Sequence, residues 1–235
     1  MVGYLDWTGW LDGITAFAII VSSAIFGIIC IVKGTRSNAK LLTYAGMATL
    51  CIGSFWLGPT VEFFMWFLLE THIYPYHIYG LFSYTMIGPG VLLVAILGGE
   101  LIAPSKKKTI FIIMLIAGIT FEIFLWGFTV ESFKPFTDPE YGKLIDASFN
   151  TRFPTFFLIA FFLVYLTIFM ATGFAIKAKK SIGELRKKFA YLAAAFYIFV
   201  ITGIFDALIP IPIAIGIVRL VMCSFSVLMY LGLKT

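Results

Sequence analysis

Five ionisable residues interrupt otherwise apolar stretches of this chain: Asp12, Glu62, Glu122, Asp206 and Arg219. A charge inside a bilayer costs about 2.5–3.5 kcal/mol on insertion scales, so such residues are kept where they bind, conduct or lock helices together. Arg219 cannot neutralise itself by losing its proton, and it is expected to pair with at least one of Glu62, Glu122 and Asp206. The acids left over must be protonated, reach water or meet a bound cation. Trp56, Tyr84 and Trp126, with Trp66 and Tyr197, are aromatic neighbours suited to a cage for an amine or an apolar ligand. Glu62 and Glu122 are the acids expected to meet a ligand or ion. Asp206, near the interface, is expected to be solvated or to cap a helix. The competing expectation is a structural Arg–carboxylate network locking helices two, four, six and seven.

The elements that position these residues are seven hydrophobic spans, roughly 11–32, 41–69, 79–101, 109–130, 154–176, 189–208 and 211–233. Each is long enough to cross a bilayer core of about 30 Å. Every second connection is basic: Lys33, Arg36 and Lys40 in the first, Lys106, Lys107 and Lys108 in the next. A third holds Lys177, Lys179, Lys180, Arg186, Lys187 and Lys188. With Lys234 these are 13 of the 17 basic residues, and the asymmetry predicts that this side faces the cytoplasm, with the N-terminus outside and the C-terminus inside. At a rise of about 1.5 Å per residue, all five charges fall between the midplane and the outer surface, which predicts an outward-facing polar pocket.

Composition points the same way. The chain is 61% hydrophobic and 12% charged, with a mean hydropathy of +1.01, far from the balance of a soluble domain. An all-α polytopic membrane protein is expected, a single seven-transmembrane bundle over 1–235, because most connections are short. The net charge of +5 lies in short loops beside the spans, which argues against nucleic-acid binding and for contact with membrane lipid. The residues before the first span carry Asp6 and Asp12 in place of a basic region, so that helix is expected to be retained. Cys30, Cys51 and Cys223 fall inside spans without metal-ligand spacing and read as small apolar residues. No HExxH, GxSxG or nucleotide-binding loop occurs, so an enzyme is not expected.

Three further features bear on the bundle. Small residues, among them Ser23, Gly27, Gly46, Gly53 and the Ala193–Ala195 run, predict close helix contacts. Leu57-Gly58-Pro59 and Ile87-Gly88-Pro89-Gly90 predict kinks at Pro59 and Pro89. The loop 131–153 has the length of a lid over the bundle mouth or of a solvated spacer, two readings of equal weight. His72 and His77 lie in the loop THIYPYHIY, whose spacing does not specify zinc, and no metal site is expected.

Seven spans with an external N-terminus are similar in layout to rhodopsins and G-protein-coupled receptors. A retinal Schiff base requires an intramembrane lysine, and no span has one in its interior, so no cofactor is expected. GSFWLGP in span two, YGLFSYTMIGPG opening span three, and LRKKF leading through a small-residue helix into DALIPIPIAIG resemble the seven-helix sensory region of some prokaryotic histidine kinases. Stand-alone prokaryotic seven-transmembrane proteins are similar. That resemblance implies ligand sensing within the bundle, a prokaryotic plasma membrane, and signalling inward. The chain ends two residues past the last span, so output is expected from a separate cytoplasmic protein docking on Lys177–Lys188. A receptor-like or sensory role is therefore favoured over an ion channel or small-solute transporter, and both over a structural or accessory subunit. Self-association is left open.

Overall fold

A computed structural model describes residues 5–135, 142–209 and 211–234. Residues 136–141 of the long loop, and Pro210, lie outside the described residues. Among those described, the chain is helical apart from turns, loops and one isolated antiparallel bridge, Phe133 to Phe149. Seven helices are long and apolar enough to cross a membrane: α1 Trp7–Arg36, α2 Lys40–Leu69, α3 His77–Leu101, α4 Pro104–Gly127, α5 Pro154–Lys180, α6 Gly183–Leu208 and α7 Pro212–Leu233. Several run about a turn further than the apolar stretches predict, since Lys and Arg side chains tolerate helix beyond a hydrocarbon layer.

Short connections make each helix pack on the next, and α7 returns against α1. The ring has two dissimilar ends. One, the basic end, carries the 36–40, 102–106 and 181–182 connections and Lys234. The other, the strap end, carries Asp6, the 70–76 connection, the long loop and the α6–α7 turn.

α1 and α2 pack closely, and glycine permits the approach. A Cβ on Gly46 would lie 2.5 Å from the Gly27 carbonyl oxygen, and one on Gly27 would lie 2.8 Å from Leu50. Further along, a Cβ on Gly53 would meet Ser23 at 2.3 Å. In lipid the gain from such approach is dispersion, because apolar surface meets apolar surface whether or not helices associate. The expected small-residue contacts are thus present on this pair.

Both proline motifs break their helices one turn upstream. In α2 a 3₁₀ turn covers Ser54–Trp56, and in α3 regular helix stops at Tyr84 and resumes at Ile87. The cause is the same in each. Proline lacks an N–H, and its ring collides with the carbonyl four residues back, here Phe55 and Thr85. A third irregularity has no proline: α5 widens into a π-helical stretch over Tyr165–Ala171. The Thr172 hydroxyl donates to the Thr167 carbonyl at 3.0 Å and lies 2.9 Å from the Tyr197 hydroxyl of α6.

The interior between the ends is apolar. Val94, Leu97, Met170, Phe174, Phe196, Phe225 and Met229 belong to one buried cluster drawn from six helices, all but α4. A second, built on Ile87, Val91, Met114, Phe121 and Phe162, extends into the strap end through Phe133, Ile145 and Ala147.

Candidate functional site

The intramembrane charges collect toward the strap end, as three separate sets of contacts. Arg219 is the centre of the first. It is 8% exposed, its Nε donates to Asp206 Oδ1 at 2.7 Å, and Nη1 donates to the Asp12 carbonyl at 3.0 Å and to the Asp12 carboxylate. The guanidinium fork thereby ties α1, α6 and α7 together, since its donors diverge in a plane. The expected pairing with Asp206 is present. Asp206 is not merely solvated, and the locked helices are one, six and seven rather than two, four, six and seven. Asp12 was legible as a partner from depth: it lies five residues into α1, and Arg219 seven into α7, two helices that start at the same end.

Glu62 forms the second set. It is 0% exposed, with one carboxylate oxygen against His72 Nδ1 and the other accepting the Ile73 N–H at 2.8 Å. A longer contact from the Ile145 N–H, 3.4 Å, reaches the His72-bound oxygen. The backbone explains how His72 gets there. Glu70 takes a left-handed conformation, φ 53°, that ends α2 and turns the chain back over its last turns. Expected as a partner for Arg219 or a ligand, Glu62 instead receives the protein's own donors.

Those donors come from the strap. Beyond a single helical turn at Thr129–Ser132, Phe133 pairs with Phe149, the Lys134 N–H donates to the Ser148 carbonyl at 2.8 Å and the Asn150 N–H to the Ser132 carbonyl at 2.9 Å. Leu144, Ile145 and Ala147 are buried, and the Asp6 N–H donates to the Gly142 carbonyl at 3.0 Å. The described part of the loop is therefore a strap packed on the bundle and not a solvated spacer. Asp6 also caps α1 by accepting from the Gly9 N–H at 2.8 Å. A hydrogen bond from the Thr8 hydroxyl is the main influence holding the Asp6 carboxyl below its ordinary pKa.

Glu122 is the third set, apart from the others. Its Oε1 accepts the Gly88 N–H at 3.0 Å. The amide belongs to the first turn of the α3 segment that restarts at Ile87, where backbone N–H groups lack intrahelical acceptors and favour a nearby anion. Gly88 permits the approach: a Cβ there would stand 2.7 Å from Glu122 Oε1.

The expected aromatic residues do not form one cage. Trp56 is buried beside Phe55 in the apolar core. Tyr84 stacks on Phe133 and meets Phe149 at a tilt beneath the strap. Trp126 is 57% exposed on the outward face of α4. Pro59 is buried and Pro89 exposed, each just after its helix break. Lys177, Lys179 and Lys180 close α5, and Arg186, Lys187 and Lys188 lie in the first two turns of α6, with Glu184 paired to Lys187 at 3.4 Å.

Polar groups continue from the Arg219 set along one seam. The Ser22 hydroxyl donates to the Cys223 carbonyl at 3.1 Å, Ser23 and Ser226 hydroxyls meet at 3.1 Å, and Lys33 reaches the Tyr230 hydroxyl at the basic end. All lie between α1 and α7. Sequence reading missed this ladder, although Arg219, Cys223, Ser226 and Tyr230 recur at spacings of three and four along α7, one of the two helices that close the ring. No group of three or more His, Cys, Asp or Glu placed to hold a metal occurs among the described residues.

Protein-family models, curated proteins and solved structures give no match to this chain. Its function is argued from its own residues.

Proposed function

We propose that the protein is a receptor-like, sensory integral membrane protein, with its strap end outside and its basic end in the cytoplasm. In this reading a small cation or amine from outside competes for Asp12 and Asp206, whose two charges face the single charge of Arg219. The observation that carries the proposal is the α1–α7 seam. Polar contacts run from the Asp12–Arg219–Asp206 set to Lys33 and Tyr230 along a helix interface, while the middle of the bundle is filled with Leu, Met and Phe side chains. A helix pair bridged at both ends can shift as two alternative packings, which is how effects at one end are carried to another. A separate cytoplasmic protein would read the change at Lys177–Lys188.

A second reading, an ion channel or small-solute transporter, is favoured by the breaks at Ser54–Trp56 and Thr85–Met86 and the π stretch at Tyr165–Ala171. Interrupted membrane helices expose carbonyls that coordinate ions. Proton, K⁺ and Na⁺ flux into proteoliposomes, beside Glu122→Gln and Arg219→Gln variants, separates the two. The sensory reading expects no flux above empty vesicles, together with thermal stabilisation by small cations or amines that Asp206→Asn abolishes. Flux that either substitution removes replaces it with conduction or transport. Neither flux nor stabilisation leaves an accessory subunit.

A further inference from the structure

Cations at the basic end outnumber the carboxylates that could neutralise them. Glu100 pairs with Lys107 at 2.8 Å and Glu184 with Lys187 at 3.4 Å. Among the described residues no carboxylate pairs with Lys40, Lys177, Lys180 or Lys188. These four border two adjacent hollows. One, of about 620 Å³, lies between the end of α3 and the α5–α6 turn, with Ile102, Ile176 and Phe189 as apolar wall and Lys177, Lys180 and Ser181 on its border. The other, of about 520 Å³, lies between the starts of α2 and α6 and the end of α7, with Lys40 and Lys188 beside Leu101, Leu192 and Leu233. Leu185 and Phe189 line both.

The pairing of apolar wall and ammonium border selects the occupant. A free anion would need the charge but not the hydrocarbon, and an acidic peptide would not account for Ile182, 89% exposed between Lys179–Lys180 and Arg186–Lys188. Exposed apolar side chains at the ends of membrane-crossing helices sit at the acyl-headgroup boundary, where lysines reach outward to phosphate. We propose that the two hollows at the basic end are binding sites for anionic phospholipid, acyl chains lying on Ile102, Ile176, Leu185 and Phe189 and the headgroup phosphate bridged by Lys177 and Lys180, with Lys40 and Lys188 serving the second. The proposal does not rest on the Asp12–Arg219–Asp206 set; it gives to lipid lysines that the sensory reading gives to a cytoplasmic protein, and the last outcome of the test below separates the two.

The test uses the full chain in a mild non-ionic detergent, with phosphatidylglycerol, phosphatidylcholine or inorganic phosphate added, read by thermal midpoint and by native mass spectrometry. Phosphatidylglycerol is expected to raise the midpoint and to remain bound in the spectrum, whereas phosphatidylcholine and phosphate do neither. Lys177→Gln/Lys180→Gln is expected to raise the phosphatidylglycerol concentration needed by on the order of tenfold. Lys106→Gln/Lys108→Gln removes the same charge away from the hollows and is expected to leave that concentration unchanged. Equal stabilisation by phosphatidylcholine would mean unspecific solvation, and a shift with phosphate alone a free-anion site. Equal loss in both double variants would mean diffuse charge, and no phosphatidylglycerol effect a surface kept for a protein. Each of these results overturns the proposal.

Discussion

Glu62→Gln should unfasten the strap without unfolding the bundle. The carboxylate accepts from His72 Nδ1, from the Ile73 amide at 2.8 Å and, at longer range, from the Ile145 amide at 3.4 Å. Every one of these partners is a donor. An amide keeps one acceptor oxygen, but its NH₂ group must then face a donor, so at least one buried N–H loses its partner. Hydrogen bonds to a charged group contribute about 1.5–3 kcal/mol, and a buried unsatisfied donor costs about 1–3 kcal/mol. A local penalty of about 2 kcal/mol multiplies the open population of the strap by about 30.

Trypsin cleavage reads that population. Lys143 is exposed and lies two residues before Ile145, and cleavage follows the open fraction when reclosing is faster than cutting. Cutting after Lys143 should therefore accelerate by about 30-fold in Glu62→Gln, with faster hydrogen exchange at Ile73 and Ile145, while amides of α6 and α7 keep their protection. Glu122→Gln, whose partner is Gly88 on α3, should leave the Lys143 rate unchanged. An unchanged cleavage rate in Glu62→Gln, or equal acceleration in Glu122→Gln, would refute the assignment of Glu62 as the strap's anchor.

Arg219→Met leaves Asp12 and Asp206 facing each other without a cation and should destabilise the protein by about 3–5 kcal/mol; adding Asp12→Asn and Asp206→Asn should recover most of that loss in thermal unfolding. Gly46→Val drives side-chain atoms into the Gly27 carbonyl, already 2.5 Å from a Cβ, and should cost more than the about 1–3 kcal/mol of ordinary overpacking, because the obstacle is backbone. Asp6→Ala removes the N-cap of α1 and should cost about 1 kcal/mol at pH 7. Because the folded Asp6 carboxyl is held low by Thr8, this contribution is complete above the unfolded value of about 3.9 and is lost as pH falls through the folded one. The midpoint difference between wild type and Asp6→Ala should therefore vanish under strongly acid conditions and persist at pH 5.

What could be read from the sequence followed from patterns that repeat along one helix. Apolar length gave seven helices, the Gly-Pro pairs gave both breaks to within a turn, and the small residues Ser23, Gly27, Gly46 and Gly53 gave positions of close helix approach. Depth along a helix also gave the end of the bundle where charge collects. Partner identity needed rotation about the helix axes and the path of connections, neither of which apolar periodicity records. Arg219 faces α1 as well as α6, a consequence of ring closure. Glu62 meets His72 because a left-handed Glu70 reverses the chain, and it meets Ile145 because a loop more than eighty residues later folds back. The π stretch at Tyr165–Ala171 has neither proline nor glycine to announce it.

The two ends satisfy their charges by different means, and this decides what should control each. At the strap end, carboxylates are held by protein donors: Arg219, His72, the amides of Ile73 and Gly88. Buried pairs of this kind are screened little by salt. A ligand acting there must replace protein contacts one for one, and it can shift the bundle only by as much as it binds the two arrangements differently. Among the described residues no carboxylate pairs with Lys177, Lys180, Lys40 or Lys188 at the basic end, so under the lipid proposal their environment is set by the anionic headgroup, and their contribution should fall as ionic strength rises. Salt titration of the thermal midpoint in phosphatidylglycerol vesicles is therefore expected to act through the lysines, and the salt sensitivity should shrink in Lys177→Gln/Lys180→Gln while remaining unchanged in Glu62→Gln.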